Sequence, residues 1–151
     1  MHNDMEKRKP KNIFQEGPIA PLFVGESIQK HSDKKEIGAH SIFLGQVRAD
    51  NINGKTVEAI EYTAYEEMAL EKMYEIREAV FSKYELTCLH VHHSLGRVNA
   101  GEISLFVFAS SVHRDAATTA CKEVVEKIKK ELPVWGKEIF EKEGYQWKEN
   151  K

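Results

Sequence analysis

Cysteine is scarce in this chain: Cys88 and Cys121 are the two in 151 residues. That leaves no disulfide framework and fits a reducing compartment, with both thiols expected to be buried rather than nucleophilic. A basic excess is missing too. The 22 Lys and Arg against 24 Asp and Glu give a net charge of −2, which argues against a nucleic-acid surface. No apolar run approaches the roughly 20 residues of a membrane span, and the polar N-terminus has no signal-peptide core. A cytosolic (cytoplasmic) protein is the expectation. Also absent are a Gly-rich phosphate loop, a Ser-His-Asp order, a His-Glu-x-x-His pair, internal repeats and low-complexity tracts. What is present, 41% hydrophobic and 30% charged residues, is the balance of one globular domain with a real core.

Residues 1–12, MHNDMEKRKPKN, are polar and broken by Pro10. They read as a flexible tail before a single domain over 13–151. Gly17, Pro18 and Pro21 limit 13–23 to a short edge strand and a turn, and 24–31 can form a short helix. GAHSIFLGQV (38–47) alternates as a strand, Ile42 and Leu44 opposed to Phe43 and Gly45. Asn53-Gly54 marks a turn. TVEAIEYTAY (56–65) alternates again, with Val57, Ala59, Glu61 and Thr63 against Glu58, Ile60, Tyr62 and Ala64. These two strands can pair as antiparallel neighbours.

Ala69, Met73, Ile76, Val80 and Tyr84 form one stripe of a long helix over 66–84, with Met68 and Met73 as core filling. TCLHVHHSL (87–95) is a strand, 96–101 a turn, and EISLFVFAS (102–110) the most apolar and so central strand. His90 and His92 share a face at a spacing that can hold a metal. No Cys-x-x-Cys or acidic partner lies near in sequence, so structural roles are preferred and no metal or cofactor is expected. The element order gives an α+β domain, a mostly antiparallel sheet with two main helices on one face.

The stretch 110–141, SSVHRDAATTACKEVVEKIKKELPVWGKEIFE, carries the candidate chemistry. On a wheel of about 100° per residue, Ala117, Cys121, Val124, Val125, Ile128 and Leu132 cover one face. Lys129 lies at its rim and Lys130 points away. A rim lysine can lean over a pocket while its stem packs on apolar neighbours. His113 and Arg114 fall at the helix start, where free N–H groups favour anions and an arginine can hold a phosphate with a paired fork. Lys137 follows a Pro-x-Trp turn, and Arg48 is a further candidate cation after the first strand. Gathered around one site, these groups would surround a small anion. The blander alternatives are two lysines that simply favour a helix C-terminus and an arginine that caps Asp115.

At these residues the chain resembles the large, catalytic subunit of molybdopterin synthase, the MoaE family, from about Ile13 to Trp147. The markers, in the family's order, are Gly38-Ala39, Phe43-x-Gly45-x-Val47-Arg48, Ile60-Glu61-Tyr62, Tyr65-x-x-Met68-Ala69, His93-x-x-Gly96, Ser111-x-His113-Arg114 and Lys129-x-x-x-Pro133-x-Trp135. The resemblance implies an α/β-hammerhead-like fold. It also implies a homodimer of large subunits at the core of a heterotetramer, each binding a small ubiquitin-like MoaD-type sulfur carrier. The carrier's C-terminal Gly-Gly thiocarboxylate would deliver sulfur, in two rounds, to cyclic pyranopterin monophosphate, producing the molybdopterin dithiolene. By position, Gln46, Val47, Arg48, His113, Arg114, Lys129, Gly136, Lys137 and Glu138 would line the substrate pocket, built from both large subunits. Lys129 would be the principal catalytic lysine and Lys137 a second. One departure stands out: the family commonly has a lysine directly after the tryptophan, and here that place is Gly136. Two rival readings keep part of this picture, a non-catalytic module for a phosphorylated small molecule and a scaffold that docks a ubiquitin-like tail.

Overall fold

A computed structural model of the chain describes residues 11–142 and 144–149. The tail expected over 1–12 lies outside the described residues apart from Lys11 and Asn12. In chain order the elements are β1 (Phe14–Glu16), α1 (Pro21–Lys30), β2 (Ala39–Gln46), β3 (Asn51–Ile52), β4 (Lys55–Ala64), α2 (Glu66–Lys83), β5 (Cys88–Asn99), β6 (Ile103–Ser111), α3 (Arg114–Glu131), β7 (Val134–Phe140) and β8 (Tyr145–Trp147). The sheet runs β2-β6-β5-β4-β7-β8, with β1 added in parallel to β5 and β3 paired to β4. The α+β, mostly antiparallel reading holds.

The one expected pairing, of 38–47 with 56–65, does not form. β2 pairs with β6 rather than β4, and β4 lies between β5 and β7. Local alternation defines a strand's faces but says nothing of its neighbour, and β6, buried along almost its whole length, needs a partner on both edges. Residues 96–101 are not all turn, because β5 continues to Asn99. Its Cys88–His93 half pairs with β6 and its Gly96–Asn99 half with β4. Gly96, at φ 77°, supplies the left-handed residue that lets one strand serve both halves.

The helices bury what their spacing promised. Ala69, Met73, Ile76 and Val80 of α2 pack with Ala120, Cys121, Val124, Val125 and Ile128 of α3 in one core. Leu89 and Val91 of β5 and Leu105 and Val107 of β6 meet them from the sheet. Met68 is not core filling. It is 58% exposed, since it falls beside the stripe rather than on it. The opposite face of β6 carries Phe106 and Phe108 under Val24 of α1, so a third helix covers the side that two were expected to leave open. In β4 strict alternation fails at one point. Val57 packs in the same cluster as Ile60, because the register shifts between Val57 and Ala59.

Candidate active site

α3 determines which cations can meet. Its 18 residues, Arg114–Glu131, set Arg114 and Lys129 roughly 22 Å apart at 1.5 Å per residue. The start and end of this helix therefore do not surround one small anion within a single chain. His113 and Arg114 sit exposed at the N-terminus, where Ser111 Oγ accepts from the Ala117 N–H at 3.1 Å and donates to the His113 carbonyl.

At the other end, Lys129 leans over an open cavity of about 960 Å³ between β2, β4, the end of α3 and the chain after β8. Gln46, Val47, Arg48, Lys129 and Glu138 line it. His113, Arg114, Gly136 and Lys137 do not line it. Lys129 is solvent-exposed in part, yet its pKa is lowered, first by desolvation and then by the positive charges of Lys148 and Arg48. The two observations agree if the ammonium rests on a crowded concave floor that water still reaches. Arg48 is held in a fork by Asp50, at 3.1 Å from Nε and 3.3 Å from Nη2. An ion pair this exposed contributes at most about 1 kcal/mol, so the guanidinium is available to an incoming anion.

From Val134 onward the Pro-x-Trp segment is strand rather than turn, which settles the direction of Lys137. In β7 it pairs across from Glu61, 3.4 Å from Nζ to Oε1, and its ammonium lies over the Tyr145 and Trp147 rings at 4.6 and 5.8 Å. Its strand neighbours Gly136 and Glu138 face Tyr62 and Ile60. Gly136 does not turn the backbone to bring Lys137 in. It stays within the strand because any side chain would collide: a Cβ there would come 2.8 Å from Ile60 Cγ2. Gly136→Ala should therefore cost about 1–3 kcal/mol, read as a lower urea midpoint. An unchanged midpoint would mean the sheet gives way freely. The second lysine at the cavity, beside Lys129, is Lys148, whose backbone N–H donates to the Gly136 carbonyl at 2.8 Å. No sequence signal singled it out, since it lies past β8 and is placed by the β7–β8 pairing.

In the cavity wall, Tyr62 donates to Ser104 Oγ at 3.2 Å, and its ring meets His93, which lies behind the wall, edge-on at 5.3 Å. His93 is 6% exposed. Burial pushes its pKa from 6.5 down to about 4, offset in part by the Ser94 carbonyl and assisted by the charge of Lys129. The unfolded chain thus takes up this proton first as pH falls. The stabilising contribution is full above 6.5 and is lost between 6.5 and 4, on the order of 3 kcal/mol in all. Urea unfolding across that window should show a stability slope that His93→Gln flattens. A slope equal to the parent's would place the acid sensitivity elsewhere.

Comparison with known proteins decides the family. The profile of the MoaE protein family matches residues 19–131. The chain belongs to the MoaE family. It is 43% identical over 117 residues to molybdopterin synthase catalytic subunit 2 of Aedes aegypti, spanning 76% of this chain and 75% of the relative. It is 38% identical over 122 residues to the molybdopterin synthase catalytic subunit of Bacillus subtilis (strain 168), 81% and 76% of the two chains. In structure this MoaE chain superposes on molybdopterin synthase from Staphylococcus aureus with TM-score 0.79 and 29% identity, covering 90% of this chain and 95% of the other. A complex of subunits 1 and 2 of molybdopterin-converting factor from Helicobacter pylori 26695 shares the fold, with TM-score 0.76 and 19% identity over 91% and 90% of the chains. Among the described residues no helix is long and apolar enough to cross a membrane.

Proposed function

We propose that this chain is the sulfur-transferring large subunit of a molybdopterin synthase, an enzyme of molybdenum cofactor biosynthesis. It takes sulfur from the C-terminal thiocarboxylate of a small ubiquitin-like partner and places it on cyclic pyranopterin monophosphate. The observation that carries this reading is Lys129, an amine with a lowered pKa at the floor of a cavity large enough for the pterin. Accepting a proton or attacking the activated acyl carbon both need the neutral amine, and desolvation with two neighbouring cations favours that form. Arg48 and Lys148 supply positive charge for the cyclic phosphate. Neither cysteine is called on, because the sulfur arrives with the partner, and both are buried free thiols.

Exposed aromatics support a protein partner. Tyr65 and Trp135 pack edge-on at 5.0 Å while remaining 63% and 45% exposed. Tyr145 and Trp147 are 59% and 56% exposed on the last strand. Large aromatics left in water on one part of a sheet are what buried interface centres are made of. With Arg114 about 22 Å from Lys129, we further propose that His113 and Arg114 serve the cavity of a second copy in a homodimer. Reconstitution tests the whole: the chain, a thiocarboxylated small subunit and the cyclic pterin together should yield the dithiolene. Leaving out any one should yield none.

A further inference from the structure

Away from the cavity, on the sheet face that α1 covers, histidines and a cysteine collect around Phe108. His31 follows α1, His40 comes from β2, and Cys88 and His90 stand two apart on β5. One ring nitrogen from His31, one from His90 and the Cys88 sulfur all lie within 4.8 Å of one another. The two histidines meet Nε2 to Nε2 at 3.1 Å. His31 is held from its other side, Nδ1 against the Ser27 carbonyl at 2.7 Å. A carbonyl can only accept, so Nδ1 carries the proton and the Nε2 lone pair faces His90. A backbone carbonyl behind the ring is the usual way a metal-binding imidazole is fixed in tautomer and direction.

The N–N separation suits a tetrahedral ion, and the sulfur, within 4.8 Å of both nitrogens, needs to close by about 1.2 Å at most. Zinc at about 2.0–2.1 Å from nitrogen and about 2.3 Å from sulfur sets its ligands roughly 3.3–3.6 Å apart, so the observed N–N separation needs only a few tenths of an ångström. Thiolate with imidazole selects zinc or cobalt(II) over the hard magnesium and calcium ions. Lys34 Nζ lies 3.1 Å from Cys88 Sγ, so the sulfur already faces a cation. Lys34 is exposed and can yield that place. Without metal the same groups form a hydrogen-bonded pair and a lysine–thiol contact. Two ring nitrogens that meet beside a sulfur hold only one proton between them in the apo chain, and loss of that proton leaves both lone pairs for an ion.

We propose that His31, Cys88 and His90 bind a divalent transition ion, zinc foremost, which ties the end of α1 to β5. None of the three residues lines the cavity, so this site stands apart from the sulfur-transfer reading. In sequence the only spacing noted for a metal was His90 with His92, and structural roles were preferred for both. The structure turns His92 to Phe23 and Phe106, with ring centroids at 4.8 and 5.5 Å, and brings His31 in from 59 positions away.

Cobalt(II) titration of the reduced, metal-free chain tests it. One equivalent should give a thiolate-to-cobalt charge-transfer band and ligand-field bands of tetrahedral intensity, both bleached by one equivalent of zinc. Cys88→Ser should abolish the charge-transfer band, and Cys121→Ser should leave it. His31→Gln and His90→Gln should each weaken zinc binding by at least about a hundredfold, more than the loss of an outer partner costs. Because Cys88 is buried and its replacement can disturb folding, the histidine variants carry the decision, each checked by circular dichroism. Zinc should raise the thermal midpoint of the parent and not of His31→Gln. Absence of the charge-transfer band at stoichiometric cobalt, or parent-like zinc affinity in a folded His31→Gln/His90→Gln double variant, overturns the proposal.

Discussion

Lys129→Ala should lower dithiolene formation by roughly a hundred- to ten-thousandfold, the span a positioned acid–base group contributes, while leaving the fold intact. Lys129 is exposed to solvent and lies at the rim of α3 rather than in the core, so stability should move by no more than about 0.5 kcal/mol. Lys129→Arg separates charge from chemistry. A guanidinium keeps the positive field but cannot become neutral in a protein, so an inactive arginine variant assigns the role to the free amine. An active one would reduce Lys129 to a counter-charge. The parent's rate should also rise with pH along a limb below the ordinary lysine value, since Lys129's pKa is lowered and the neutral amine is the working form. Near-normal turnover by Lys129→Ala in the reconstituted assay would remove the residue from catalysis. It would favour the rival reading of a module that merely binds a phosphorylated small molecule.

What the sequence made legible was whatever depends on neighbours along the chain. The α3 wheel placed Ala117, Cys121, Val124, Val125, Ile128 and Leu132 inside, and all six are buried. The same wheel put Lys129 at the rim and Lys130 away, and only Lys129 reaches the cavity. Pairing partners were illegible for a physical reason. A strand's side-chain period defines two faces but not which strand lies at either edge, so β2 could not announce β6. Gly96 misled in a related way. A glycine near Gly101 reads as turn chemistry, whereas only the partners on both sides of β5 reveal that it bends a continuous strand. Lys148 lines the cavity where Lys137 was expected, because β7 is a regular strand. Alternation alone sends Lys137 to the face of Glu61 once Glu138 is fixed inward. The position after Trp135 holds glycine where Ile60 leaves no room for a Cβ.

Dimers built from two different defective chains should recover activity that neither chain has alone. Arg114 and Lys129 lie at opposite ends of α3, roughly 22 Å apart, too far for one pterin to touch both. If each cavity takes His113 and Arg114 from the other copy, a Lys129→Ala chain and a His113→Ala/Arg114→Ala chain complement each other. In their heterodimer one cavity receives both intact sets and the other receives neither. A twofold dimer with one good site of two should turn over at about half the parent rate, although each variant homodimer is nearly inactive. Heterodimers isolated on two different affinity tags, reconstituted with thiocarboxylated partner and cyclic pterin, supply the measurement. Activity no higher than that of the two homodimers would show that the helix start serves no neighbouring cavity. The anion site would then reduce to Arg48, Lys129 and Lys148 within one chain. Recovery near half would instead explain why a helix too long to close around a ligand carries a cation set at each end: every copy would build one wall of its own cavity and one wall of its neighbour's.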